Sequence, residues 1–265
     1  MPRYANAMAR EIRFEKWEGL GNDFIVVDQG LLPADLSDAA VQHITDRRRG
    51  VGGDGILLVG RGETPSMIVR NADGSRPEMC GNGLRCVAAY LVAQGAQSTL
   101  AVQTDAGLRA CEVLENGDVS IDMGVATYDE ELVVSHGGRE HRFMQASMGN
   151  PHAITFEPAS AAIVDEVSRV AEHARPGRTN VEWVTDRGDR LGVVVWERGV
   201  GYTEACGTGA CAVAAVACRL GKRRFDEDVV VRLPGGDLVI RVTEHSRVTM
   251  RGPAKKAFSG MFTVD

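Results

Sequence analysis

Segment 80–95, CGNGLRCVAAYLVAQG, returns 126 positions later as segment 206–221, CGTGACAVAAVACRLG. The same offset aligns Cys80 with Cys206, three glycine pairs (Gly81/Gly207, Gly83/Gly209, Gly95/Gly221) and Val87-Ala88-Ala89 with Val213-Ala214-Ala215. A repeat at about half the chain length calls for two similar halves, each presenting one thiol at one helix start. Two opposed thiols are what a proton needs if it is to leave one face of a carbon and return on the other.

The two cysteine-led segments are apolar all the way round, and a helix without a polar face is buried on every side. Strand-like runs surround them. In the first half they fall at 12–17, 24–28, 56–59, 67–70, 100–104, 108–114 and 119–123, interrupted by helical patterns at 36–47 and 81–94. The second half repeats the plan, with strands at 132–135, 142–147, 154–156, 181–185, 191–196, 229–233, 238–242 and 248–251 and helices at 161–172 and 207–220. Turn signals such as Asn116-Gly117-Asp118 and Pro234-Gly235-Gly236 separate many of these runs. The simplest architecture is α+β: two pseudo-symmetric domains, each a curved, mostly antiparallel sheet or barrel wrapped around one apolar helix. The expected halves are 1–125, carrying Cys80, and 126–255, carrying Cys206, with the tail 256–265 packing back on the first.

The bulk properties exclude several classes. A net charge of −6 gives no electrostatic reason to expect nucleic acid or an anionic membrane. No segment approaches the roughly 18–20 apolar residues that span a bilayer. Residues 1–10 lack an apolar stretch of secretory type and read as a short extension, so a cytoplasmic location is the default expectation. Six cysteines show no C-x-x-C and no zinc-type spacing, so reduced thiols are expected and no metal. Cys86, Cys111, Cys211 and Cys218 read as small core residues. The basic runs Arg47-Arg48-Arg49 and Lys222-Arg223-Arg224 each follow a helical segment and read as complements to its C-terminus. Gly50-Val51-Gly52-Gly53-Asp54-Gly55 satisfies G-x-G-x-x-G, but it precedes a strand instead of opening a helix, which argues against a dinucleotide site.

A cysteine at a helix N-terminus sits among backbone N–H groups and the positive end of the dipole. Both favour thiolate, so each sulfur is expected below its usual pKa of about 8.5. The first-turn N–H groups of Gly81, Asn82, Gly207 and Thr208 can hold a carboxylate. Base and anion cradle thus come as one unit, twice.

Seven motifs in order, GLGNDF (19–24), NADGS (71–75), CGNGLRC (80–86), SMGNPH (147–152), RTNVE (178–182), ERGVG (197–201) and ACGTGACA (205–212), resemble the diaminopimelate epimerase family over nearly the whole chain. The resemblance implies interconversion of LL- and meso-diaminopimelate, a small amino-acid substrate, with no metal or pyridoxal cofactor, in the lysine and peptidoglycan precursor pathway. It also implies a homodimer. Cys80 and Cys206 become the catalytic pair, and Gly81, Asn82, Gly207 and Thr208 the holders of the reacting carboxylate. Asn22, Asn71, Asn150, His152, Asn180, Glu197 and Arg198 match the family's substrate-binding positions. Amides donate and accept, so they read ammonium and carboxylate together, and Arg198 can take the distal carboxylate bidentately. Two positions depart from common family residues: Gly55, where some members have glutamine, and Tyr202, where glutamate is common. The rival reading is another two-thiol racemase of the same fold, acting on histidine or hydroxyproline. Redox sensing by the cysteines without catalysis is the rival from a different class.

Overall fold

The computed structural model describes residues 10–264; of the expected extension 1–10, residues 1–9 lie outside the described residues and Arg10 already belongs to the first strand. The chain divides into two compact units, residues 1–113 with 254–265, and residues 114–253.

The first unit holds β1 (Arg10–Gly19), β2 (Asn22–Asp28), α1 (Asp38–Thr45), β3 (Gly55–Gly60), β4 (Ser66–Asn71), α2 (Gly81–Ala93), β5 (Thr99–Thr104) and β6 (Gly107–Val113). In the second unit lie β7 (Asp118–Val125), β8 (Thr127–His136), β9 (Arg139–Ser147), β10 (Pro151–Thr155), α3 (Ala161–His173), β11 (Asn180–Asp186), β12 (Leu191–Glu197), β13 (Gly201–Tyr202), α4 (Gly207–Arg219), β14 (Asp228–Leu233), β15 (Gly236–Val242) and β16 (Arg247–Pro253). The last strand, β17 (Lys255–Val264), returns to the first unit.

Both units follow one connection rule. A strand crosses through an amphipathic helix to a parallel neighbour, β2 to β3 through α1 and β10 to β11 through α3. An antiparallel hairpin follows, β3–β4 and β11–β12. Next comes the cysteine-led helix, and a second parallel join, β4 to β5 and β12 to β14. Parallel neighbours need such crossovers, which is why each sheet is mixed and not purely antiparallel. The remaining pairings, β17–β1–β2 and β5–β6 in one unit and β8–β9–β10 and β14–β15–β16–β7 in the other, are antiparallel.

Each sheet wraps its central helix. Helix α2 touches β1, β2, β3, β4, β6 and β17, and α4 touches β9, β10, β11, β14, β15 and β16. Every residue of α2 from Gly81 to Leu91 is buried, and of α4 only Thr208 and Arg219 escape burial. Enclosing a Val or Leu side chain is worth about 1.5–3 kcal/mol, so these helices are held by their sheets and not by intrinsic propensity. The outer helices are conventional. Ser37 and Ser160 cap α1 and α3 by accepting from Ala40 and Ile163 N–H, and each helix buries one stripe.

Three expectations need correction. The unit boundary falls at 113/114 instead of 125/126, because β7 pairs with β16 of the second unit. Strand β17 was not expected as a strand; it carries no buried stripe and is held by its pairing with β1. The basic runs do more than sit behind helices, since Arg47 pairs with Asp23 and Asp54, and Arg223 pairs with Asp186. No described helix is long and apolar enough to cross a membrane.

Candidate functional site

Cys80 is the N-cap of α2. Its backbone is extended, and its sulfur accepts from Gly83 N–H at 3.3 Å. Capping thus engages the third N–H of the helix, at the turn where a helix has no acceptor of its own. Asn82 is oriented from both sides. Its amide donates to Asn22 Oδ1 at 2.5 Å, and its carbonyl oxygen accepts from the fully buried Arg85 at 3.0 Å. Asn22 in turn donates to Asp54 at 3.2 Å, and Asp54 accepts from Arg47 at 2.8 Å. One hydrogen-bonded chain therefore joins the helix start to the Gly21-Asn22 turn and the Asp54 loop.

Asp23 anchors that chain. Burial alone would raise its carboxyl, but hydrogen bonds from Arg47 and Lys16 outweigh the burial and hold it at about 2. Lys16 lies 2.8 Å from it. A depressed carboxyl contributes stability above its unfolded pKa of about 3.9 and loses it as pH falls through the folded value. Asp23→Asn should therefore flatten the acid limb of stability between pH about 4 and 2. The expected difference is about 1–2 kcal/mol after solvent screening of the exposed Arg47, read by urea unfolding at pH 5 and pH 2.5.

Cys206 is the N-cap of α4 in the same manner. Its sulfur accepts from Gly209 N–H at 3.4 Å and lies 3.5 Å from Thr208 Oγ1. Asn150 donates to that hydroxyl at 3.2 Å, as Asn22 contacts Asn82 in the first unit. His152 touches Asn150 Oδ1 through Nε2 at 3.2 Å and Glu182 Oε1 through Nδ1 at 2.6 Å. Both partners of the last contact are fully enclosed. Ligand-type atoms of His152, Glu182 and Cys206 lie within 4.8 Å of one another. Both ring nitrogens of His152 are engaged in hydrogen bonds.

The expected thiolate is not what Cys206 favours. Burial pushes its thiol well above the usual range, and the Glu197 and Glu182 carboxylates push it further, against hydrogen bonds from Thr208 and Gly209. Desolvation opposes the charged form more strongly than one helix end supports it. Cys206 therefore favours its thiol form. Burial, together with repulsion from Glu182, also raises Glu197, against a 2.7 Å hydrogen bond from Thr203.

The remaining expected residues take separate posts. Asn180 is buried; it donates to the Pro151 carbonyl and accepts from Arg198 N–H, so it fixes the ERGVG turn. Glu172 of α3 braces the same turn, accepting from Gly199 N–H at 2.7 Å and Trp196 Nε1 at 2.8 Å. The exposed Arg198 guanidinium donates to Gly177 O at 3.1 Å. Asn71, at the end of β4, spends its amide on Ser75 Oγ. Glu182, Arg85 and Glu172 were not singled out from sequence. Glu182 and Arg85 offered a signal: each is a charged residue inside an otherwise apolar run.

The two departures have structural reasons. A Cβ on Gly55 would meet the Arg70 carbonyl oxygen at 2.6 Å, so the β3–β4 pairing admits no side chain there. Tyr202 packs edge-on against Trp196 with ring centroids 5.1 Å apart. Cys86, Cys111 and Cys218 are free thiols raised by burial to about 12, 12 and 11, as core residues should be.

Comparison with known proteins accords with this geometry. The family model described as diaminopimelate epimerase matches residues 14–128 and 144–257. A diaminopimelate epimerase of Synechococcus elongatus is 43% identical over 275 residues, covering 94% of this chain and 97% of that protein. One from Carboxydothermus hydrogenoformans is 42% identical, covering 95% and 99%. A hydroxyproline epimerase from Agrobacterium vitis, solved with trans-4-hydroxy-L-proline, shares the fold with a TM-score of 0.70 at 16% identity, covering 97% of this chain and 92% of that one. The matched regions include both cysteine-capped helices, and the chain belongs to the diaminopimelate epimerase family.

Proposed function

We propose that this chain interconverts LL- and meso-2,6-diaminopimelate by proton transfer between two thiols. Supporting this are the family membership and, above all, the duplicated helix start in which a cysteine caps the first turn through the N–H of the third helical residue. Removing an α-proton places negative charge next to a carboxylate, and preorganised N–H donors offset that charge. Gly81, Asn82, Gly207 and Thr208 supply them. Inversion needs a base on one face of the carbon and an acid on the other. Cys80 and Cys206 fill these roles, and whichever gives its proton in one direction takes one in reverse.

Burial and the neighbouring carboxylates favour the thiol form of Cys206, which suits it to the donor's role for the stereoisomer whose α-proton faces Cys80. Arg198, Glu197 and the asparagines hold the unreacting end. The reaction belongs to lysine and peptidoglycan precursor synthesis, a cytoplasmic setting, in a chain that works as a homodimer without an added cofactor.

Incubating the enzyme with LL-diaminopimelate in deuterated water, with no cofactor added, tests the reading. The expected result is meso product carrying one solvent deuterium at the inverted α-carbon. Inversion without deuterium uptake, or turnover only of proline or histidine derivatives, would sink it.

A further inference from the structure

The paired-thiol chemistry leaves one enclosed acid without a task. Glu182 stands in the middle of β11 with its side chain wholly buried. Its Oε1 takes the 2.6 Å contact with His152, while Oε2 is buried with no hydrogen-bond partner. A half-satisfied interior carboxylate is costly to keep, so a function should offset it. The carboxylate is also wedged against the start of α4, because a Cβ on Gly209 would meet Oε1 at 2.7 Å. It therefore occupies space beside the positive end of the helix, next to the sulfur that the helix would otherwise ionise. The titratable groups facing that sulfur are Glu182 of β11, His152 of β10 and Glu197 of β12.

We propose that Glu182 is a positioning residue: clamped by His152 beside the start of α4, its carboxylate biases the Cys206 sulfur toward donating a proton. A negative charge at this range in the interior opposes a second one, and the His152 contact fixes its distance. The second unit thereby differs from the first by design of charge and not of fold, since Leu57 stands where Glu182 does: a Cβ on Gly83 would meet Leu57 at 2.9 Å, as one on Gly209 would meet Glu182. The donor assignment rests on the two-thiol reading, whereas the effect on the sulfur does not and can be measured without substrate.

The test compares native protein with Glu182→Gln and Glu182→Asp by the pH dependence of iodoacetamide labelling, each cysteine read separately by peptide mass spectrometry. Glutamine keeps the shape and removes the charge. The expected result is a Cys206 profile displaced downward by about one pH unit, or about tenfold faster labelling near neutrality, with Cys80 unchanged. Glu182→Asp should bring the profile back toward native. An undisplaced Cys206 profile in Glu182→Gln would overturn the proposal. So would an aspartate variant that behaves like glutamine. A gain shared by Cys211, which is fully buried one turn further on and reports opening of α4, would overturn it too. Epimerase failure alone would leave the labelling result standing and would count against the two-thiol reading instead.

Discussion

Cys80→Ala and Cys206→Ala should each lower epimerase turnover by about 10²–10⁴-fold or more, the range that a positioned proton-transfer group supplies. The expectation is the same for both because inversion by the proposed two-thiol route would use both sulfurs in every turnover. What should differ is the residual chemistry. A variant that keeps its base but lacks the opposing acid can still remove an α-proton and return one to the same face. Cys206→Ala should therefore exchange the α-proton of one stereoisomer with solvent while failing to invert it, and Cys80→Ala should do so for the other. Proton NMR in deuterated water reads both quantities in one sample. Neither helix should unfold, since alanine removes one sulfur at an N-cap, a loss of about 1 kcal/mol. Substantial inversion by either variant would exclude the two-thiol mechanism.

The parts of this arrangement that are local in sequence were legible there. The all-apolar segments behind Cys80 and Cys206 read directly as enclosed helices, and observed α2 and α4 begin at the glycines the repeat aligned. Strand β17 was not legible, because KKAFSGMFTV is largely exposed and only its partner β1 makes it a strand. The state of Cys206 was misjudged for a related reason. Helix-end stabilisation can be read from a motif, whereas the burial and the two carboxylates that override it come from β11 and β12. Glu182 was within view, in NVEWVTD, as one acid in a buried strand. Such a residue demands a partner, and the partner, His152, lies 30 positions earlier. The duplication also runs deeper than the helices. Asn22 and Asn150 each follow a glycine and each contact the second residue of the cysteine-led helix, Asn82 or Thr208.

Arg85→Ala should destabilise the protein by about 3–5 kcal/mol, the cost of deleting one member of a buried, hydrogen-bonded charged group. Arg85 is the largest fully buried side chain in the described residues, and its guanidinium lies under Gly19, where a Cβ would approach Nη2 to 3.3 Å. The aligned position in the second unit is Cys211, so the larger side chain is a feature of the first unit alone. Its reach explains the difference. Arg85 donates to Asn82 and so holds the Asn82–Asn22–Asp54 chain in place from inside the helix, whereas α4 is served from outside by Asn150, His152 and Glu182. Arg85→Met separates two contributions. Methionine refills most of the volume, so urea unfolding should show recovery of part of the stability lost in the alanine variant. It cannot donate to Asn82, so the epimerase defect should remain in both variants. A methionine variant with native turnover would show that Asn82 holds its orientation without Arg85, and the network would then be a matter of stability alone.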